Sequence, residues 1–190
     1  MVPFLKKSLK QKVLWETVHY GQQLFKKDII LRLSCSKFNK KKVNSITYKE
    51  ADLGEKINIR REYSEAITAD FTESKIMNLL GGKKNLENRS QIIKELENLG
   101  HREFMSFKGE SQVGRYNPLN IEIKIMYCSQ LKYPLLLELE KSAVDIKDAE
   151  LKRRELLELI AKYDLKQKLI TKEPPTLLFE SEFLGESSNE

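Results

Sequence analysis

Polar and charged side chains alternate with apolar ones along three short stretches near the start of the chain, and that spacing is where chemistry could be done. Ile29, Leu31 and Leu33 alternate with Ile30, Arg32 and Ser34; Ile46 and Tyr48 alternate with Thr47 and Lys49; Ile57 and Ile59 alternate with Asn58, Arg60 and Glu62. Successive side chains of a strand point to opposite faces, so pairing of these strands places Arg32, Lys49, Arg60 and Glu62 on one surface. Convergent guanidinium and ammonium groups grip an anion, phosphate above all, and a carboxylate among them adds a ligand for a divalent cation. Glu138 and Glu140 repeat the spacing in LLLELE; two apart on a strand, they point the same way, as a shared metal site requires.

Two arrangements satisfy the alternation. One is an antiparallel sheet packed on its apolar side with its charged face in water. The other is a closed or strongly curved sheet whose interior is the charged face, converging on an anionic, metal-bearing ligand.

The elements that must position these residues follow from the rest of the chain. Val13–Tyr20 is rich in aromatic and β-branched residues and reads as a strand ended by Gly21. FNKKKVN and ADLGEK read as hairpin connections between the three charged strands, with Lys40, Lys41 and Lys42 as a solvated tip. After Ile67 the period changes. Thr72 is placed to cap a helix carrying Ile76, Leu79 and Leu80 and stopped by Gly81-Gly82. Asn88 with Gln91 resembles a capping box for a second helix, carrying Ile92, Ile93, Leu96 and Leu99 and ending at Gly100. A second block of strands follows: FMSFK, then NIEIKIMYC after the turn GRYNP, then YPLLLELE. A long helix is expected from Asp145, a last short strand in TLLFE after Pro174-Pro175, and a disordered acidic tail over 181–190. Residues 1–12 read as a basic lead-in, frayed or helical. Helices between two blocks of strands indicate an α+β domain rather than an alternating α/β one.

Composition narrows the functions. A length of 190 residues suits one domain with a buried core, and 40% hydrophobic with 33% charged residues is ordinary for a soluble globular chain. No apolar run approaches the ~20 residues of a membrane span, and MVPFLKKSLKQK lacks the apolar core of a secretion signal. A cytoplasmic protein is expected. Two cysteines, Cys35 and Cys128, and two histidines, His19 and His101, form no zinc-binding spacing. The net charge of +6 is uneven: residues 1–63 carry 15 Lys/Arg against 6 Asp/Glu, and the remainder 19 against 22. A basic first third attracts phosphates, whether on nucleotides, polyphosphate or RNA.

The order of these pieces resembles the CYTH superfamily of triphosphate tunnel enzymes, which includes class IV adenylate cyclases, thiamine triphosphatases and inorganic triphosphatases. That family shows an LRxR strand, a TxK strand, an RxExE strand, a KxR strand and a late ExE. Here Leu31-Arg32 matches the first, Thr47-Tyr48-Lys49 the second and Arg60 with Glu62 the third; Lys108 matches the start of the fourth, and Glu138-Leu139-Glu140 the last. The resemblance covers roughly Val13 to Glu180. The pattern departs at Ser34, Ser64 and Glu110, and the family's opening ExExK strand is not visible before Val13.

The resemblance implies an antiparallel β-barrel, or tunnel, with a polar interior and flanking helices, over residues 13–180. It implies that Arg32, Lys49, Arg60 and Lys108 hold a triphosphate or nucleotide, and that Glu62, Glu138 and Glu140 bind Mg²⁺ or Mn²⁺. A triphosphate carries about four negative charges, so several cations must converge on it. The metal polarises the phosphoryl group for attack by water or by a ribose hydroxyl. The implied activity is divalent-metal-dependent hydrolysis or cyclisation of a triphosphate. The alternative is a non-catalytic module that binds phosphorylated ligands, RNA 5′ ends or an acidic partner.

Overall fold

The alternation around Arg32 forms a strand because each apolar side chain on one face finds helices to pack against. The structure, a computed structural model, describes residues 8–54, 57–68, 71, 73–83 and 85–183. Seven strands are hydrogen-bonded in the order β4-β3-β2-β1-β5-β6-β7, and the chain divides into two compact units.

One unit comprises Leu14–Leu53 and Arg60–Lys108. It contains the later part of β1 (Leu9–Tyr20), helix α1 (Gln22–Phe25), β2 (Ile30–Phe38), β3 (Lys41–Lys49), β4 (Glu62–Ala66), α2 (Lys75–Leu79), α3 (Arg89–Asn98) and the start of β5 (Glu103–Tyr116). Val18, Tyr20, Leu31, Leu33 and Ile46 from the strands bury against Ile76 and Met77 of α2 and Ile92 and Leu96 of α3. Gly21, at φ 73, ends β1 in a left-handed conformation that glycine adopts without a side-chain clash, and its N–H donates to the Arg102 carbonyl at 2.9 Å.

Helix starts follow local chemistry. Asn88 accepts from the Gln91 N–H at 3.0 Å, as a capping residue should, while the Gln91 side chain accepts from the Glu87 N–H at 2.7 Å. Thr72, read as the cap of the first helix, lies outside the described residues. Ser74 caps α2, accepting from the Met77 N–H at 3.1 Å and donating to Glu65 at 2.5 Å.

The other unit contains the residues up to Val13, Gly54–Ile59 and the chain from Gly109 onward. In it lie the later part of β5, β6 (Ile121–Tyr127), β7 (Leu135–Glu140), α4 (Ile146–Lys162) and α5 (Pro174–Phe183). Ile121 and Ile123 bury against Leu156 and Leu159 of α4, with Leu9, Ile57, Tyr116, Leu139 and Tyr163 around them. Asp145 caps α4 by accepting from the Asp148 N–H at 2.9 Å, and Lys141 pairs with Glu155 to tie β7 to that helix.

The α+β class and the antiparallel sheet flanked by helices are as the sequence led us to expect, consistent with a tunnel-like fold; among the described residues the hydrogen-bonded ladder runs from β4 to β7. Local boundaries differ at several places: β3 takes in Lys41 and Lys42 of the expected hairpin tip, and β5 takes in residues 114–116 of the expected turn. β1 begins at Leu9, inside the stretch read as a lead-in. Ile57 and Ile59 precede the third charged strand, which runs from Glu62 to Ala66. TLLFE is helical: short apolar runs fit either helix or strand, and Pro174 and Pro175 sit in the first turn of α5, where their missing N–H groups cost nothing. Ser181–Phe183 complete that helix, and the remainder of the expected tail lies outside the described residues.

Candidate functional site

Cross-strand register builds the site in the first unit. His19 of β1 stands opposite Arg32 of β2, Arg32 opposite Thr47 of β3, and Thr47 opposite Ser64 of β4. Directly paired residues share a face, so these four form a row across the sheet. One step along the strands, Thr17, Ser34 and Ser45 form a second row; one step the other way, Lys49 stands opposite Glu62. All lie on the face away from Leu31, Leu33 and Ile46, which α2 and α3 cover.

This polar face is not simply wet. His19 is 0% exposed, Thr47 3% and Thr17 5%. Hydroxyls pair along it, Ser34 Oγ donating to Thr17 Oγ1 at 3.2 Å and Thr47 Oγ1 lying 3.2 Å from Ser64 Oγ. Lys49 Nζ lies 3.2 Å from Glu62, with the lysine side chain 17% exposed. The His19 ring stacks on Phe107 with centroids 5.4 Å apart and meets the edges of Phe25 and Phe104. Burial, then the charges of Arg32 and Lys49, lower its pKa to about 3, so the imidazole is neutral. The structure thus brings Arg32, Lys49 and Glu62 together, as the alternation implies.

Arg60 has a different role. Its Nη1 donates to the carbonyls of Asp28 at 2.7 Å and Glu50 at 3.0 Å, and its Nη2 to the Asp28 carboxylate at 2.7 Å. Asp28 also accepts from the Asp52 N–H at 2.8 Å. With its side chain 8% exposed, Arg60 clamps the turn before β2 to the loop after β3. Period 2 placed it with the anion-binding groups because the third strand was expected to begin before it. Lys108 is exposed on β5, where it alternates with the buried Phe107.

Glu138 and Glu140 lie in the second unit. Glu138 stands opposite Lys124, and their charged groups are 2.9 Å apart. Glu140 stands opposite Glu122, whose carboxylate lies 3.8 Å from Arg115 of β5. The two glutamates share one strand face, as their spacing requires, and Lys124 and Arg115 supply positive charge on it.

Mg²⁺ or Mn²⁺ would need several oxygen ligands on one centre. Among the described residues no group of three or more His, Cys, Asp or Glu side chains is placed to hold a metal ion. Glu62 and Glu138 are each set against a lysine instead.

His19, Asp28 and Lys124 are the residues that sequence reasoning missed. His19 carries a signal, lying at the same parity in β1 as Arg32 does in β2, but only register shows them as neighbours. No helix among the described residues is long and apolar enough to cross a membrane.

No family model matches the chain, and no curated protein matches it in sequence. Solved structures do match. The PH1819 protein from Pyrococcus horikoshii OT3 superposes with a TM-score of 0.68 at 14% identity, over 94% of this chain and 91% of that one. The PH1012 protein from the same organism gives 0.66 at 14% identity, over 93% and 90%. The putative adenylyl cyclase HpAC1 from Hippeastrum, described as having a dominant triphosphatase activity, gives 0.58 at 12% identity, over 97% and 90%. At these identities the likeness shows a shared fold.

Proposed function

We propose that this protein binds a triphosphate-like polyanion, free or on a nucleotide, on the polar face formed by β1, β2, β3 and β4. One observation carries the reading: Arg32 and Lys49 stand among buried hydroxyls and a buried neutral histidine, on a face opposite a complete apolar core. Cations partly withdrawn from water gain most from an anion, because low local dielectric strengthens the attraction. Arg32 offers a planar fork for two phosphoryl oxygens and Lys49 a point charge. Of the paired Thr47 and Ser64 hydroxyls one keeps its O–H, a neutral donor at an adjacent register position. The fold shared with HpAC1, itself described as a triphosphatase, favours a triphosphate over other anions.

The reading is of binding first. Metal-dependent hydrolysis or cyclisation would require Glu62, Glu138 and Glu140 to take up a divalent cation, and for Glu62 and Glu138 to exchange a lysine for it. The same experiment addresses both. Tripolyphosphate, ATP, thiamine triphosphate and a 5′-triphosphate RNA are added with Mg²⁺, with Mn²⁺ or with EDTA. Thermal shift and release of phosphate or pyrophosphate are then read on wild type, Lys49→Ala and Glu138→Ala/Glu140→Ala. The expected result is a thermal shift that survives EDTA and shrinks in Lys49→Ala. Turnover lost in EDTA and in the double glutamate variant would extend the reading to an enzyme. No shift with any of the four ligands would overturn it.

A further inference from the structure

Among the described residues, three nitrogen atoms of the buried polar face have no partner. Both ring nitrogens of His19 and the Nε of Arg32 are shielded from solvent and make no hydrogen bond with any described residue. A neutral imidazole has one donor nitrogen and one acceptor nitrogen, and the arginine Nε–H is a donor only. Buried groups left in this state are uncommon and costly, and each requires an explanation. The two residues are also direct cross-strand partners. The acceptor that Arg32 lacks and the donor that His19 lacks therefore belong to paired residues of adjacent strands, on one face of the sheet.

Chemistry fixes which way the exchange can run. A protonated imidazole would have no lone pair, but burial and the charges of Arg32 and Lys49 keep this ring neutral. The stack on Phe107 and the edges of Phe25 and Phe104 limit where the ring can turn. We propose that His19 is the positioning residue of Arg32: a ring nitrogen of His19 accepts the Nε–H of Arg32 when an anion engages its two Nη groups. A guanidinium carries its five N–H donors in one plane, so holding Nε sets the direction of the Nη fork. His19 then acts through Arg32 and does not touch the anion. This role rests on the reading that the Arg32 face binds a polyanion.

The probe is tripolyphosphate, titrated calorimetrically into wild type, His19→Phe, His19→Gln, Arg32→Ala, Arg32→Lys and His19→Phe/Arg32→Lys. Phenylalanine keeps the ring stack and removes the acceptor; glutamine keeps an acceptor. His19→Phe should weaken binding about tenfold, the scale of one hydrogen bond to a charged group, and His19→Gln should recover most of that. In the Arg32→Lys background, which has no Nε–H in that position, His19→Phe should change nothing further. In labelled wild type, a coupling across the hydrogen bond between Arg32 Nε and a His19 ring nitrogen should appear in the tripolyphosphate complex, a readout that needs no variant to fold. An equal loss from His19→Phe in the Arg32→Lys background, or no such coupling in the complex, would overturn the positioning role. If Arg32→Ala weakens binding and His19→Phe does not, the positioning role alone fails. If wild type does not bind tripolyphosphate, or Arg32→Ala binds as well as wild type, the anion-binding reading fails with it.

Discussion

Arg60 and Arg32 have the same side chain and opposite surroundings. Arg60 directs three hydrogen bonds to Asp28 and Glu50, so its removal leaves a carboxylate and two carbonyls short of a donor. Arg60→Ala should therefore cost about 1.5–3 kcal/mol of stability, read by urea denaturation, while tripolyphosphate affinity stays within about twofold of wild type. An affinity loss as large as that of Lys49→Ala would contradict the clamp role. His19 makes a second prediction at this scale. The unfolded chain protonates it at its ordinary 6.5, whereas the folded chain holds it neutral down to about 3. Between those values the unfolded state binds more protons, so the stability contributed by this group is complete above 6.5 and is lost as pH falls toward 3. Denaturation curves at about pH 7 and about pH 4.5 should differ less in His19→Phe than in wild type.

Among the elements, α2 is a short helix whose start rests on a single side chain. Ser74 caps it and also donates to Glu65 of β4, and Glu65 accepts from the Lys75 N–H at 2.8 Å. Ser74→Ala should cost about 1–2 kcal/mol, at the upper end for a cap because a second hydrogen bond is lost with it. Circular dichroism with urea titration measures this, and a neutral result would show that the cap is dispensable. Gly114 controls a different element. A Cβ there would sit 1.7 Å from the Ser8 carbonyl oxygen, so Gly114→Ala should force β1 and β5 apart at that point. The expected sign is faster amide exchange in Leu9–Val13; unchanged exchange would mean that the backbone yields at no cost.

At the scale of the whole molecule, charge distribution and register both matter. The basic excess of residues 1–63 should make tripolyphosphate binding sensitive to salt. Raising NaCl from about 0.1 M to about 1 M shortens the screening length from about 10 Å to about 3 Å, and affinity should fall by roughly tenfold or more; a flat response would mean that charge contributes little.

Much of this was present in the sequence alone. Alternation at Leu31-Arg32-Leu33 and Ile46-Thr47-Tyr48-Lys49 determined two strands and their faces, because period 2 is a property of any extended backbone. Asn88 with Gln91, and Asp145, determined helix starts, because capping is a local hydrogen bond. The tertiary structure decided what depends on partners distant in sequence. Arg60 shares the composition and spacing of a phosphate ligand, and only the fold brings Asp28 and Glu50 to its guanidinium. TLLFE suits a strand as well as a helix until prolines and core contacts select one. Pairing of β1 with β2 set His19 against Arg32, and that neighbourhood arises from long-range register, which no local pattern encodes.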